Sequence, residues 1–237
     1  MVVLALASVD SGAAAAKLRP WRQWPDLNGL ATGKPSARDF HTMATTADGN
    51  LWLIGGNEPP DTSSKGDEKS SNNLMKFDAE TKQWTTITTS GPSPSPVSWR
   101  SAQMAAVGNV LYLSGGSEEH ELWRFSTAKV TWKLLETPAG GERPPAGYPH
   151  TMAAVGDVLY VHARSCTWRY STTQGTWELV DTPAGDPRLR PSARYGHVMA
   201  AVGDVLFLHG GAINGQRTHP CCTKHPAPFS LHLLTNH

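Results

Sequence analysis

One pattern occurs four times in this chain of 237 residues, and it constrains the fold more than any other feature. The copies read FHTMATTADGNLWLIGG from Phe40, SAQMAAVGNVLYLSGG from Ser101, PHTMAAVGDVLYVHAR from Pro149 and GHVMAAVGDVLFLHGG from Gly196. Their methionines, Met43, Met104, Met152 and Met199, stand 61, 48 and 47 residues apart. Repeats of about 40–50 residues that carry several strands each predict the blades of a β-propeller.

Each full unit is predicted to contain four short strands, a to d, joined as an antiparallel meander, whereas the fourth unit stops after Gly211. Strands a and b are apolar runs such as HTMAAV and VLYVH, and a Gly-Asn or Gly-Asp pair between them predicts a two-residue hairpin. The first unit has one extra residue there, so a longer turn is expected. Strand c carries an aromatic residue and strand d begins at a tryptophan, the pairs being Phe77 and Trp84, Phe125 and Trp132, and Tyr170 and Trp177. These large side chains are expected to fill the space between blades.

The order of an apolar strand, a double glycine, an aromatic residue and a tryptophan resembles the kelch repeat over about residues 20–211. The double glycines are 55–56, 115–116 and 210–211. This resemblance implies an all-β, kelch-type propeller of about four blades that serves mostly as an interaction platform. The third unit departs from it with Ala163-Arg164, so we expect that strand to end differently, because arginine does not easily adopt the backbone conformations open to glycine. The polar insertion 57–73 is expected to be a mobile surface loop.

The chain divides into a tail at 1–17, the repeat region at 18–211 and an atypical segment at 212–237. Trp24 occupies the tryptophan slot of a unit, so the repeats begin with the last strand of a blade. Two arrangements remain open, an incomplete arc or a small closed ring of four blades. An arc leaves two blade faces uncovered and predicts self-association. The last segment lacks the strand c aromatic followed by tryptophan; we interpret it as foreign to the repeat, with 229–234 as a poor third strand.

Composition narrows the classes of partner and the compartment. The net charge of +1 indicates neither a nucleic acid nor a membrane surface as partner. No apolar run approaches the roughly 18 residues of a membrane span. Three cysteines cannot form a disulfide framework, and the odd count favours a reducing compartment, hence the cytoplasm. A short apolar run near the N-terminus keeps secretion as the alternative.

The loops predict where a partner binds. Because strand directions alternate, the short a–b and c–d turns share one face of the propeller, and the longer, more variable b–c and d–a loops share the other. Variable loops on a rigid scaffold are a common way to build a binding site. Arginine and aromatic residues, typical of interface anchors, recur there just before strand a. The candidate partner-binding residues are Arg38, Phe40, Trp99, Arg100, Tyr148, Arg194 and Tyr195. In a competing interpretation the arginines and the histidines that follow (His41, His150 and His197) brace the loops internally.

Motifs for catalysis or cofactor binding are not evident in the sequence. It contains no nucleophile elbow, P-loop or dinucleotide fingerprint, and no metal or cofactor is predicted. The cluster of His219, Cys221, Cys222 and His225 has suitable residue types for zinc but no known spacing. The predicted function is therefore a non-catalytic scaffold that binds an unidentified protein through the b–c/d–a face. The alternatives are a degenerate kelch-type metalloenzyme of the oxidase or lyase kind, and a secreted attractin-like adhesion module.

Overall fold

A computed structural model of the chain describes residues 33–58, 69–94, 102–115, 121–137, 141–145, 150–180, 194–213 and 231–234. All regular structure within these ranges is β-strand. The strands are β1 (Thr42–Thr45), β2 (Leu51–Ile54), β3 (Asn57–Glu58), β4 (Lys69–Ser70), β5 (Leu74–Asp78), β6 (Gln83–Ile87), β7 (Gln103–Val107), β8 (Val110–Ser114), β9 (Leu122–Ser126), β10 (Thr131–Leu135), β11 (His150–Val155), β12 (Val158–Ala163), β13 (Cys166–Ser171), β14 (Thr176–Val180), β15 (Arg194–Val202), β16 (Val205–Ile213) and β17 (Leu231–Leu234).

The strands form blades in the order of the repeats. Blade 1 is β1-β2-β5-β6, blade 2 is β7 to β10 and blade 3 is β11 to β14, each a four-stranded antiparallel sheet. Blade 4 contains β15, β16 and β17. The first strands of the blades pack side by side, β1 on β7, β7 on β11 and β11 on β15. This arrangement confirms the predicted kelch-type propeller.

The predicted turns are present at the predicted residues. Two-residue hairpins at 108–109, 156–157 and 203–204 join strands a and b in blades 2 to 4, and five residues make the longer turn in blade 1. The first residue of each short hairpin is a glycine with φ near +60°, a conformation that glycine adopts without steric cost. The c–d turns end on a left-handed residue as well, Lys82, Val130 and Gly175 in blades 1 to 3.

The core lies between the blades rather than within them. We define the back face of a blade as the one that packs on the following blade, and the front face as its opposite. In blades 1 to 3 the front face carries a strand c aromatic stacked obliquely on a strand d tryptophan, with ring centroids 4.9 Å apart for Phe125 and Trp132 and 5.0 Å for Tyr170 and Trp177. Trp52, from the back of blade 1, meets Phe125 edge to face at 5.5 Å. The aromatic residues therefore fill the blade interfaces, as the sequence predicts.

Backbone hydrogen bonds also link successive blades. The N–H of Met104 in blade 2 donates to Thr42 Oγ1 in blade 1 at 2.8 Å, and the N–H of Met199 in blade 4 donates to Thr151 Oγ1 in blade 3 at 3.1 Å. Both threonines precede the repeat methionine of their own unit and are buried. A hydroxyl of one blade thus satisfies a backbone donor of the next.

Blade 3 ends its second strand in its own way, as its missing double glycine predicts. Strand β12 runs to Ala163 and β13 begins at Cys166, so two residues connect them. Arg164 occupies this turn with φ of 59°, a left-handed conformation that an L-residue with a side chain rarely adopts. Blade 3 therefore has the shortest b–c connection of the three four-stranded blades.

Three features differ from the sequence expectations. The ends of the insertion expected to be a mobile loop form a ribbon, in which Asn57 pairs with Ser70 and Glu58 with Lys69, because strands b and c continue their pairing past the glycines. Strand β17 lies within the poor third strand expected at 229–234, and it pairs with β16 in parallel, unlike the antiparallel pairs of the full units. Cys166 is buried and disulfide-bonded, since an odd cysteine count still allows one pair.

Other expectations fall on residues outside the described ranges. These are the tail at 1–17, the strand at Trp24, most of the segment 212–237 with its His and Cys cluster, and most residues of the proline-rich d–a loops. Within the described ranges, no helix has the length and apolar character needed to cross a membrane.

Candidate functional site

Four of the seven candidate residues lie in two equivalent segments that lead into the first strands of blades 1 and 4. Arg38 and Phe40 precede β1, and Arg194 and Tyr195 begin β15. In both blades the segment extends the strand pairing beyond the double glycine, with Asp39 opposite Asn57 and Tyr195 opposite Ala212. Trp99, Arg100 and Tyr148 lie outside the described residues.

The two arginines make the same hydrogen bond in their respective blades. Arg38 Nη1 donates to the carbonyl oxygen of Gly55 at 3.0 Å, and Arg194 Nη1 donates to the carbonyl oxygen of Gly210 at 2.9 Å. Each acceptor is the first residue of a double glycine, which directly follows β2 in blade 1 and lies within β16 in blade 4. The recurring arginine therefore fixes the segment before strand a to the end of strand b, as the bracing interpretation requires.

Arg38 makes further bonds that bury its side chain. Its Nη2 donates to Ser36 Oγ at 2.8 Å and pairs with Glu58 Oε1 at 2.9 Å, and the side chain is only 2% exposed. Burial lowers the pKa of Arg38, and the nearby carboxylate of Glu58 opposes that shift. The N–H donors of this guanidinium thus point into the protein. Arg194 differs, because its bond to Gly210 lies in an exposed environment.

The second glycine of each pair is required by close backbone packing. A Cβ atom at Gly56 would stand 2.5 Å from the carbonyl oxygen of Asp39, and one at Gly211 would stand 2.9 Å from that of Tyr195. Both glycines also have φ values in the left-handed region. The double glycine therefore lets the d–a segment lie directly against the end of strand b, with the arginine holding it there.

We call the frame the two backbone segments that Arg38 and Arg194 hold against the double glycines. Two aromatic side chains project from it. Phe40 is 44% exposed and Tyr195 is 49% exposed, so both stand among the most exposed large apolar residues of the described chain. Phe40 has φ of 54°, and the equivalent slot of blade 4 holds Gly196 with φ of 67°. A left-handed conformation costs a residue with a side chain about 1–2 kcal/mol. Blade 1 thus places a large, exposed ring at a position where glycine is the residue of lowest strain.

The histidines that follow the arginines point into the structure. His150 and His197 are buried, together with His162 of β12, whose ring lies 5.2 Å from that of His197 at nearly a right angle. His162 Nδ1 lies 3.0 Å from Thr167 Oγ1, and His197 Nε2 lies 3.4 Å from the carbonyl oxygen of His162. These rings join blade 3 to blade 4. They therefore contribute to internal packing and are not part of the exposed surface.

Burial lowers the pKa of three of these histidines, His41, His162 and His197, and so favours their neutral form. Desolvation, assisted by the neighbouring His197 and Arg194, lowers the pKa of His162 to about 3. Desolvation also lowers the pKa of His197, with Arg194 acting in the same direction. The pKa of His41 is lowered by burial and by Arg38.

Sequence reasoning missed two members of the frame. Glu58 lies in the insertion that was expected to contribute only a polar loop, and no repeated spacing connects it with Arg38. His162 occupies a slot that holds Ile54 in blade 1, Ser114 in blade 2 and His209 in blade 4, and its recurrence in the last two repeats is a signal that sequence reasoning did not use. Within the described ranges, no group of three or more His, Cys, Asp or Glu side chains is placed to hold a metal ion.

Comparison with known families identifies the repeat. The profile described as the KLHDC2/KLHL20/DRC7 Kelch-repeats domain matches residues 14–163. That span covers the first three Met-centred repeats up to the end of β12. A comparison with curated proteins gave no match.

Proposed function

Because this chain belongs to the kelch-repeat family, we propose that it is a non-catalytic scaffold that binds a protein partner through the face carrying its b–c and d–a loops. Kelch domains generally bind protein partners, which supports the general role. The specific face and its residues are our inference. The near-neutral net charge of +1 favours a protein over a nucleic acid as partner.

The observation that carries the proposal is the exposure of Phe40 and Tyr195 on a frame that holds their backbones fixed. Aromatic residues bury a large area with few rotatable bonds, so they are effective interface anchors. A frame that is already ordered costs little conformational entropy when the partner binds. Phe40 strengthens the case because its left-handed backbone is maintained at an energetic cost, and such strain is frequent at functional sites.

The arginines divide into two roles within this proposal. Arg38 positions Phe40, since its guanidinium is bonded to Gly55, Ser36 and Glu58. Arg194 combines positioning with charge at the surface, because its bond to Gly210 is exposed. Trp99, Arg100 and Tyr148 complete the proposed partner-binding set from the d–a loops. A partner that offers an apolar pocket beside an acidic group matches these anchors.

Affinity capture with the full-length chain tests the proposal. The double variant Phe40→Gly with Tyr195→Ser removes both rings, and Phe40→Gly also relieves backbone strain, so folding is preserved. Leu134→Ser is the matched control, because Leu134 is an exposed apolar residue on the outer strand β10. We expect the wild type and the control to capture the same proteins, and the double variant to lose them. Equal capture by all three would contradict the proposal.

Charge reversal separates binding from bracing. We expect Arg100→Glu and Arg194→Glu to weaken capture while changing the free energy of unfolding by no more than about 1 kcal/mol, as surface substitutions usually do. Unfolding of both variants would show that the arginines serve the frame alone.

We also propose that the chain is cytoplasmic. Secretion is the alternative, and the disulfide at Cys166 favours it. Fractionation of cells that express the chain distinguishes the two locations.

A further inference from the structure

A serine stands two positions before the recurring arginine in three of the four units. The sequence reads Ser36-Ala37-Arg38, Ser98-Trp99-Arg100 and Ser192-Ala193-Arg194. The unit of blade 3 has neither residue, since Pro145 and Gly147 occupy the two slots. Among the three serines, Ser36 lies within the described ranges, so its contacts can be examined.

Ser36 faces one edge of the Arg38 guanidinium. Its hydroxyl accepts a hydrogen bond from Arg38 Nη2 at 2.8 Å, and its carbonyl oxygen accepts one from Nε at 3.4 Å. Nε and Nη2 form an edge through which arginine binds carboxylate and phosphate groups with two parallel hydrogen bonds. Nη1 is bonded to the carbonyl oxygen of Gly55. A phosphate on the Ser36 hydroxyl would therefore meet a pair of donors suited to it.

The segment around Ser36 is accessible to a modifying enzyme. Residues 34, 36 and 37 are exposed, and residues 34–38 contain no helix or strand. In phosphoryl transfer the substrate hydroxyl must lie in line with the γ-phosphate of a nucleoside triphosphate, so the segment that carries it has to enter the cleft of the kinase. An exposed segment outside the blade sheets can do this without unfolding a blade.

Glu58 shares a donor nitrogen with Ser36. Arg38 Nη2 lies 2.9 Å from Glu58 Oε1 and 2.8 Å from Ser36 Oγ. A phosphoserine carries about −1.5 to −2 charges at pH 7 and three acceptor oxygens, so it attracts the guanidinium more strongly than a carboxylate does and repels that carboxylate. The Glu58 side chain is 27% exposed and can turn into solvent, whereas the Arg38 side chain is 2% exposed and is held by Gly55. Glu58 is therefore the group that leaves.

We propose that Ser36 is a phosphorylation site and that its phosphate takes Arg38 away from Glu58. The hydroxyl oxygen of Ser36 attacks the γ-phosphorus of a nucleoside triphosphate held by a protein kinase, and a new P–O bond forms. The bond from that phosphorus to the bridging oxygen breaks, nucleoside diphosphate leaves, and the hydroxyl proton passes to a base of the kinase. Loss of the Glu58 pair loosens the ribbon of β3 and β4 from the segment that carries Phe40. An effect on partner binding rests on the proposed function, whereas the site and the loosening do not.

Site-specific incorporation of phosphoserine into the full-length chain tests the loosening. The N–H groups of Asp39 and Asn57 each donate to the other residue's carbonyl oxygen, at 3.1 and 3.0 Å, so their hydrogen exchange reports the contact between segment and ribbon. We expect phosphoserine at position 36 to speed this exchange, measured by NMR, about tenfold, because a hydrogen bond to a charged group is lost. Phosphoserine at position 90, an exposed serine after β6, is the matched control and should change neither amide. Unchanged exchange with phosphoserine at position 36 overturns the proposal.

The variant Glu58→Ala separates displacement of Glu58 from a general effect of the phosphate. With the carboxylate already removed, exchange at Asp39 and Asn57 should be fast, and phosphoserine at position 36 should raise it no further. An additional rise equal to that in the wild type overturns the displacement, because the phosphate would then act without Glu58.

Phosphopeptide mass spectrometry tests whether Ser36 is used. The full-length chain is isolated from cells that express it, with phosphatases inhibited. We expect a phosphate on the peptide that contains Ser36. A chain without phosphate, or with phosphate confined to other residues, overturns the assignment of the site.

Discussion

The hydroxyl of Thr151 in blade 3 accepts a hydrogen bond from the backbone N–H of Met199 in blade 4 at 3.1 Å. Thr42 makes the same bond to Met104 between blades 1 and 2 at 2.8 Å. Strand a of a blade has no strand beyond it within its own sheet, so some of its N–H groups lie outside the sheet's hydrogen bonds. Buried backbone donors need a partner. The threonine of the preceding blade supplies one.

Replacing Thr151 with valine removes that acceptor while keeping the shape of the side chain. We expect Thr151→Val to lower the free energy of unfolding by about 1–3 kcal/mol, because a buried N–H is left unsatisfied. Urea unfolding followed by tryptophan fluorescence measures the change. Thr45→Val in β1 is the matched control, since Thr45 is exposed and should change stability by less than about 0.5 kcal/mol. Equal effects of the two substitutions would show that the hydroxyl of Thr151 contributes nothing specific.

The c–d turn of blade 2 contains a residue poorly suited to its conformation. Val130 has φ of 55°, and the equivalent position of blade 3 is Gly175 with φ of 75°. A β-branched residue is strained there, whereas glycine loses more backbone entropy on folding. We expect Val130→Gly to stabilise the chain by about 0.5–1 kcal/mol, the net of those effects. The reverse change, Gly175→Val, should destabilise it, and thermal unfolding of both variants provides the measurement. A less stable Val130→Gly variant would mean that its side-chain packing outweighs the strain.

The planar set of N–H donors of Arg38 is expected to contribute more to folding stability than its charge does. Arg38→Lys keeps the charge but cannot bond Gly55, Ser36 and Glu58 together, because lysine presents a point charge rather than a planar fork. We expect this change to lower stability by about 2 kcal/mol, as when buried hydrogen bonds to a charged group are lost. Arg194→Lys, at the equivalent position, where the bond to Gly210 is exposed, should cost less than about 1 kcal/mol. Denaturant unfolding compares the two, and equal losses would show that burial of Arg38 is without consequence.

Acid is expected to weaken the junction between blades 3 and 4. In the folded chain the pKa of His162 is lowered from 6.5 to about 3, and the pKa of His197 is lowered as well. Above pH 6.5 both rings are neutral in the folded and unfolded states, so neither affects stability. Below pH 6.5 the unfolded chain takes up protons that the folded chain does not, and stability falls progressively towards pH 3.

The matched variant for this acid effect is His162→Ser, because the same slot of blade 2 holds the buried Ser114. Stability measured at a series of pH values should fall less steeply in the variant between pH 6.5 and about pH 4. The comparison is confined to pH values above about 4 in order to exclude the carboxylates. Asp48 and Asp78 also have lowered pKa values, and their contributions to stability are lost only as pH falls below their ordinary value of 3.8. Identical slopes for wild type and variant would show that His162 does not cause the acid sensitivity.

The sequence predicted the parts of the fold that the repeat imposes on every blade. Gly156-Asp157 specified a hairpin because few residues tolerate its backbone angles, and Tyr170 with Trp177 specified a cross-strand pair because a blade interface needs large apolar groups. The replacement of the double glycine by Ala163-Arg164 correctly indicated a different strand end. These features depend on local chemistry, so they can be recognised without the rest of the chain.

Features that depend on contacts between different units were harder to predict. The same Arg-rich pattern is compatible with a brace and with a binding surface, and only the position of Glu58 shows that Arg38 is turned inward. The parallel pairing of β17 depends on where a long connection returns, which no residue pattern encodes. The left-handed backbone of Phe40 was equally hidden, because phenylalanine is an unusual residue at such an angle.

The Thr–Met bonds between blades have a direction along the chain. In both pairs the acceptor hydroxyl belongs to the earlier blade and the backbone donor to the later one. Domains form from the N-terminus onward as the ribosome releases the chain. The acceptor of each of these two interblade bonds is therefore synthesised before its donor.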